Sequence, residues 1–347
     1  PSGRPLEAGG PRGFARASLF RPGEAEEGTP LVTELMKQVR AKLDQMGTRE
    51  GRRIALLVRV PPSVRNCTWA GLDVRAWMRQ DLVDVIIPAQ LMTLSHCMPV
   101  DEFSAVAAQT KCRVYAAIYP RTQYTHPVVA VPRKAGYSGA PGRTATPALV
   151  RGAVLNYRSM DVDGFQLYNF NLPLQAEHLT MAQDMAHPER ALLHDRIYAL
   201  TPAYFNDHED TYQYRKQIPA ELASGKAVAL SLFVGEDLTE KRAKSVEVVL
   251  RLGLAGAPTP RHVLTLSLNG RLLKRGRMGA GLAEVTGKRR GGGAHPPAAE
   301  AYYQRTIRDH SLLRRGANDL SITVAAARDA LSKLILVECQ IAVLPKR

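Results

Sequence analysis

DVDGFQLYNFNLP, residues 161–173, is the stretch whose reading decides the fold. It opens on Asp-Gly, runs through Phe165 and Leu167, and stops at Pro173, the grammar of a strand bounded by turn residues. Its far end carries Tyr168, Asn169 and Asn171 in quick succession. Side chains of that kind seek hydrogen-bond partners, so they either cap a strand end beside water or line a site. The choice depends on which sheet the strand joins, and the segments before it supply the answer.

Three apolar runs precede it: RRIALLVRVP (52–61), LVDVIIPA (82–89) and CRVYAAIYP (112–120). Each is continuous rather than alternating, the pattern of a strand buried on both faces of a parallel sheet. Helical segments separate them. Asp73 reads as the N-cap of a helix through Val74, Trp77 and Met78. Asp101 reads as the N-cap of a helix through Phe103, Val106 and Ala107. After a polar, Gly/Pro-rich loop (121–145), Thr146-Pro147 opens a helix through Leu149, Val150, Val154 and Tyr157. Further upstream, Thr29-Pro30 predicts a helix start, Leu31, Leu35, Val39, Leu43 and Met46 recur at helical spacing, and Gly47 sits at the expected C-terminal cap. Four strands alternating with helices predict a βα repeat with a parallel sheet. A full eight-fold barrel needs about 250 residues. The alternation here occupies only about 170.

Beyond residue 217 the grammar becomes all-β. KAVALSLFVG (226–235), SVEVVLRLG (245–253), HVLTLSLNG (262–270), LSITVA (320–325) and LILVECQIAVL (334–344) are short β-rich runs. Asn269-Gly270 and the stretch 314–319 read as tight turns, and 275–297 as a long Gly/Arg-rich loop. The expected organisation is an N-terminal arm (1–28), a βα domain (29–217) and a β-sandwich domain (218–347).

The formal net charge is +15 over 347 residues. Residues 241–315 hold 16 Lys/Arg against 4 Asp/Glu, so the surplus belongs to the C-terminal part. Such a surface suits an acidic polymer, but aromatic residues are not interleaved with the basic ones, which argues against nucleic acid and for a solvated surface. No run of 18 apolar residues occurs, which predicts no membrane span. No signal peptide is visible, although a secreted or periplasmic setting stays open because the sequence begins without Met. Cys67, Cys97, Cys112 and Cys339 form no CxxC pair and no zinc-ligand spacing, and His96-Cys97 has no second ligand pair beside it. They read as core thiols, and no metal or cofactor is expected.

RVPPSVRNCTWAGLDVRAWMRQDLVDVIIPA (59–89) resembles the second half of bacterial glycoside-hydrolase-like (β/α)8 barrels related to the family-10-like glycosyl hydrolases. DGFQLYNFNLP (163–173) resembles their last barrel strand, and LRRGANDLSITV (313–324) resembles the jelly-roll modules that often follow them. The resemblance implies α/β plus all-β architecture: a half (β/α)8, TIM-like barrel of four parallel strands, then a C-terminal jelly-roll β-sandwich. Strands one to four of the barrel, the fourth of which usually ends in an acidic motif, have no counterpart here. An open half sheet leaves edges and an apolar face to be covered, so a homodimer is expected.

Glycoside hydrolysis commonly uses two carboxyl groups. In parallel βα sheets catalytic side chains come from the carboxyl ends of strands and the loops that follow. Those positions hold Arg59 and Asn66; Gln90, His96, Asp101 and Glu102; Tyr119, Arg121, Tyr124 and His126; and Tyr168, Asn169, Asn171, Glu177 and His178. Glu102, Glu177 and Asp101 are the candidate catalytic acids, although Asp101 has a competing reading as a cap, and Glu177 and the nearby Asp184 as solvated carboxylates. Arg59, Tyr119, Tyr168, Asn169, Asn171 and His178 are the candidate binding groups. An arginine within an apolar strand is costly unless paired, so Arg59 reads either as a structural ion pair or as a ligand for a sugar hydroxyl or carboxylate. No GxSxG elbow, P-loop, HExxH or dinucleotide fingerprint is present. The expected function is hydrolysis of glycosidic bonds in an oligo- or polysaccharide. The alternatives are non-catalytic carbohydrate binding and, through the basic C-terminal region, binding of an acidic polymer.

Overall fold

The structure is a computed structural model and describes residues 25–90, 93–122, 143–169, 176–201, 217–240, 245–277, 282–284, 299–325 and 334–346. The first part runs α1 (Ala25–Glu50), β1 (Leu57–Val60), α2 (Val64–Trp69), α3 (Val74–Arg79), β2 (Val85–Pro88), α4 (Asp101–Ala107), β3 (Arg113–Ile118), the short pair β4 (Arg121–Thr122) and β5 (Arg143–Thr144), α5 (Pro147–Arg158) and β6 (Gly164–Leu167). Strands β1, β2, β3 and β6 form a four-stranded sheet in that order, every pair parallel. Next come α6 (Ala176–Ala186), α7 (Pro188–Ala191) and β7 (Arg196–Ala199), then β8 (Ala220–Leu222), β9 (Ala227–Val234), β10 (Val246–Ala255), β11 (Val263–Leu268), β12 (Arg271–Arg277), β13 (Leu282–Glu284), β14 (Ala301–Thr306), β15 (Gly316–Ala325) and β16 (Leu334–Pro345). These build two antiparallel sheets, β13-β14-β10-β16-β7 with β8 also on β16, and β12-β11-β15-β9.

Local signals explain several boundaries. Asp73 caps α3 by accepting from the Ala76 N–H (2.9 Å), and Thr146 caps α5 by accepting from the Leu149 N–H (3.3 Å). Asn269 and Gly270 take φ of 51° and 79°, the two left-handed residues of a tight hairpin between β11 and β12. The fully buried Asn318 donates to the Arg314 and Gly316 carbonyls (2.8 and 2.9 Å) and accepts from Asn269 (2.9 Å). The 314–319 stretch is therefore a pinned entry into β15 rather than a turn alone.

Other expectations need correction. Helix α1 starts at Ala25, not at Pro30, and runs past Gly47 to Glu50. Thr29 turns its hydroxyl back onto the Ala25 carbonyl (2.7 Å), as a residue already inside a helix does. The helix packs through Val32 and Met36, while Leu31, Leu35 and Met46 are exposed. Its firmest attachment is polar: the buried Arg40 pairs with Asp84 (3.1 Å) and donates to the Ile54 carbonyl (3.0 Å). Strand β1 is not buried on both faces. It is an edge strand with Leu57 and Arg59 exposed and only Val60 buried, because among the described residues nothing pairs beyond it. Asp101 does not cap α4; Val100 occupies that position without a side-chain bond. Strand β7, which precedes residue 217, pairs with β16, which follows it.

One core joins the two parts. It collects Ile86, Val114, Ala116 and Ile118 from the parallel sheet, Leu149, Val150 and Val154 from α5, and Leu250, Leu266, Ile322 and Ile341 from the antiparallel sheets. Helix α5 is its centre, with every residue from Leu149 to Tyr157 buried. The fit is close enough to exclude a methyl group: a Cβ on Gly152 would lie 2.0 Å from the Ile197 carbonyl oxygen of β7, and one on Gly235 would lie 2.3 Å from the Leu155 carbonyl oxygen.

Gly152→Ala tests this joint, because two effects oppose each other there. Inside an ordinary helix the change favours the folded state by about 1 kcal/mol. Here the added methyl meets backbone that cannot rotate aside, and destabilisation of about 3 kcal/mol is expected in urea titrations. A variant as stable as the parent would show that α5 can lift from β7 without cost.

Candidate functional site at the carboxyl end of the parallel sheet

Alternation along the four strands sends one set of side chains into the main core and the other to the opposite face. The second set holds Arg59 on β1, Val85 and Ile87 on β2, Tyr115 and Ala117 on β3, and Gln166 on β6. Val85, Ile87 and Ala117, with Ala89 and Tyr115 against them, form a small apolar cluster of their own. The Tyr115 ring covers Gly164, where a Cβ would meet it at 3.0 Å.

At the carboxyl end this face becomes polar and aromatic. The Arg59 guanidinium carbon lies 3.8 Å from the centroid of the Tyr168 ring. The Tyr119 and Tyr168 ring centroids are 5.3 Å apart, tilted by 43°. Arg59 belongs to one edge strand and Tyr168 follows the other, so the contact spans the sheet. Flat, three strand spacings would separate those edges by about 14 Å; the sheet must curl for the side chains to meet over its inner face. Tyr119 is buried, Tyr168 half-buried and Arg59 exposed. Of the two readings of Arg59, an ion pair has no partner among the described residues; exposure and the aromatic face limit the cost of the charge. Asn169 is exposed and holds φ of 53°, a left-handed conformation that asparagine tolerates.

The carboxylates are less concentrated. Glu102 is exposed in the first turn of α4, and its Oε2 accepts from the Val64 N–H (3.2 Å). That bond brings α4 to the loop after β1, beside the Ser63 cap of α2, whose hydroxyl donates to the Asn66 side-chain oxygen. Burial, and secondarily the Glu102 charge, push the neighbouring Cys67 thiol up. Asp101 is exposed on the same turn. Asn171, Tyr124 and His126 lie outside the described residues, as do the side chains of Glu177 and His178 on α6 and of Arg121. Asp184, further along α6, is not solvated: it is buried and pairs with Arg151 at 2.7 Å. Tyr115 and Gln166 were missed by the reading of strand ends alone. Alternation counted inward from Tyr119 and Tyr168 would have found both.

A second polar cluster sits where the parallel sheet meets the antiparallel ones. Asn156 donates to the carbonyls of His96 (2.6 Å) and Phe233 (3.2 Å), Tyr157 donates to the Ser95 carbonyl (2.8 Å), and the His96 N–H reaches the Thr201 hydroxyl (3.3 Å). The His96 ring is buried, and neither nitrogen has a hydrogen-bond partner among the described residues. Beyond it, Arg196 grips Glu236 with two bonds of 2.6 and 2.7 Å, and the Tyr198 hydroxyl donates to the same carboxylate (2.5 Å). Glu236 also lines a cleft of about 190 Å³ with Leu155, Leu192, Gly235, Asp237, Glu240 and Arg315.

No family model matches the chain, and no curated protein does. Among solved structures, the insecticidal delta-endotoxin Cry8Ea1 from Bacillus thuringiensis is similar at 11% identity and a TM-score of 0.23, over 44% of this chain and 24% of that one. A family 35 carbohydrate binding module from an environmental isolate gives 12% and 0.22, over 44% and 98%. Dimeric latent PorU from Porphyromonas gingivalis gives 10% and 0.23, over 44% and 13%. The chain thus spans about a quarter of the endotoxin's length. Likenesses this faint carry no argument about fold or function. No described helix is long and apolar enough to cross a membrane.

The histidine at the joint has a measurable consequence. Burial holds the His96 imidazole well below its ordinary range, at about 3. The unfolded chain titrates near 6.5, so between about pH 3 and 6.5 it binds the extra proton and stability falls as pH falls. The expected slope from this residue approaches about 1.4 kcal/mol per pH unit. His96→Leu should remove that component from urea midpoints measured between pH 4.5 and 7; a slope equal to that of the parent would contradict it.

Proposed function

We propose that the chain is the second half of a glycoside-hydrolase-like (β/α)8 barrel followed by a jelly-roll module, and that it binds carbohydrate at the carboxyl end of its parallel sheet. The observation that supports this reading is the cluster of Arg59, Tyr119 and Tyr168 on the inner face. Tyrosine rings offer flat apolar faces to the C–H surface of a sugar and hydroxyls to its polar groups. A guanidinium held among them supplies donors in a fixed plane. Asn169 extends the same end with a further polar group; Asn171 and His178, which follow it in sequence, are the further binding groups of this reading.

Hydrolysis of a glycosidic bond is the activity we assign to this face. It requires one carboxyl group to protonate the leaving oxygen and a second to attack or to activate water. Glu102 is the first choice because its bond to Val64 holds it beside the loop that follows Arg59's strand. Glu177 is the second, with Asp101 a weaker rival. No cofactor enters such chemistry. The competing reading, non-catalytic carbohydrate binding, is favoured by the exposure of Glu102 and its commitment to a backbone N–H.

Affinity electrophoresis and reducing-end assays against a panel of polysaccharides separate these readings. Tyr168→Ala should weaken retardation at least about tenfold with the fold intact. Glu102→Gln and Glu177→Gln should each abolish release of reducing ends while leaving retardation in place. Retardation without release in the parent chain would assign the binding-only function, and the absence of both would remove carbohydrate from consideration.

The sheet's two edges bear on assembly. Among the described residues β1 and β6 each have one unpaired side. A second copy, related by a two-fold axis along the strands, would set β6 of each beside β1 of the other and close eight parallel strands. We read the chain as such a homodimer. Sedimentation equilibrium should then give about twice the 38.0 kDa chain mass; a monomer at every concentration would eliminate the closed barrel and leave the binding face as described.

A further inference from the structure

We propose that the carbohydrate recognised at this face is anionic, and that a uronate carboxylate meets the guanidinium of Arg59. The inference deepens the carbohydrate reading and rests on it. The arginines buried or clamped in the first part of the fold carry a carboxylate: Arg40 and Arg53 share Asp84 (3.1 and 2.6 Å), Arg151 takes Asp184 (2.7 Å) and Arg196 takes Glu236 (2.6 Å); the surface Arg65 instead stacks on Trp69 (4.3 Å) and Arg158 donates to the Val162 carbonyl (3.1 Å). Arg59 has none within ion-pair distance among the described residues, although it is fixed in place by Tyr168. The four parallel strands contain two arginines, Arg59 and Arg113, and no acidic residue. A positive charge is thus held at the carboxyl end of four strands that themselves carry no carboxylate, and among the described residues none lies within ion-pair distance of it.

The manner of its holding matters. Stacking engages the flat face of a guanidinium and leaves its N–H donors directed outward in the plane. That is the geometry of two-pronged carboxylate recognition, with the ordering of a long side chain already accomplished before the ligand arrives. A neutral sugar hydroxyl would take one of those bonds; a uronate takes two and supplies the missing charge. The basic surplus of residues 241–315, including Arg271, Lys274, Arg275 and Arg277 on strand β12, adds a long-range attraction for the same class of polymer.

The test uses the full chain and three acidic polysaccharides, polygalacturonate, alginate and hyaluronan, each beside its carboxyl-reduced neutral counterpart, by calorimetry at low salt. At least one acidic form should bind about tenfold or more tightly than its neutral counterpart. Arg59→Gln should weaken binding of the acidic form at least about tenfold more than binding of its neutral counterpart, and Arg59→Lys should recover only part of that difference. Lys274→Glu with Arg275→Glu should lower affinity for the acidic forms and narrow the preference by less than Arg59→Gln does. Equal binding of acidic and neutral forms would overturn the anionic assignment and leave the carbohydrate reading standing. A preference undiminished in Arg59→Gln would move the selectivity elsewhere and overturn it as well. If none of these polymers binds but a neutral polysaccharide does, only this inference falls; if no polysaccharide binds at all, both fall.

Discussion

The contact between helix α5 and strand β7 sets the rest of the molecule. Gly152 lies against the Ile197 carbonyl and Gly235 against Leu155, with no room for a methyl group at either point. A helix buried all round must have its polar groups answered by something other than water. In α5 those groups are Arg151, bound to Asp184 and to the Asp195 carbonyl, and Asn156, bound to the carbonyls of His96 and Phe233. The partners come from α6, from the loop after β2 and from β9. The same helix that closes the βα series therefore also fastens the parallel sheet to the antiparallel ones. Because β7 joins β16 in an antiparallel sheet, the two regions share backbone hydrogen bonds as well as a core.

From that joint outward, the inner face of the parallel sheet follows. Sheets of this kind normally have both faces covered. Here the helices cover one, and among the described residues the other carries a small apolar cluster around Ile87. Arg59 and Tyr168 lie across its carboxyl end as a strut between the two edge strands. Since catalytic and binding groups in βα folds gather at strand carboxyl ends, the strut occupies the place where a ligand would lie.

Much of this was legible in the sequence, for identifiable reasons. The four strands of the parallel sheet followed from apolar runs separated by helical segments. The antiparallel region followed from short β-rich runs. Asp73 and Thr146 cap where their spacing to the next apolar residues said they would. What was misread depended on neighbours that a local pattern does not report. Leu31 and Leu35 keep helical spacing but sit beside the packed stripe of α1 rather than on it. Strand β1 is apolar enough for a central position yet lies at an edge. Asp101 has the composition of a cap, but Val100 takes the position and leaves Asp101 in the first turn. The pairing of Asp184 with Arg151 crosses 33 residues and leaves no trace in periodicity. At the candidate site, Arg59, Tyr119 and Tyr168 were named from strand ends, whereas their mutual contact needed the curl of the sheet.

Along DVDGFQLYNFNLP the described side chains have distinct physical tasks. Asp163 accepts from the Val114 N–H (2.8 Å) at the amino end of β6, so its role is structural. Gly164 makes space for the Tyr115 ring. Phe165 packs against the main core, and Gln166 lies on the inner face with its amide oxygen buried. Tyr168 then takes the Arg59 guanidinium. The segment changes task along its length, from fastening the strand to presenting side chains. A capping role accounts for none of the Tyr168 contacts, since they are made to a distant strand and not to the local backbone. An aromatic ring over a cation that has no carboxylate partner among the described residues adds little stability, because an exposed stacked arginine contributes only about 0.5–1 kcal/mol. The arrangement makes more physical sense as preorganisation: the side-chain entropy is lost during folding, so a ligand that completes the charge does not have to order it.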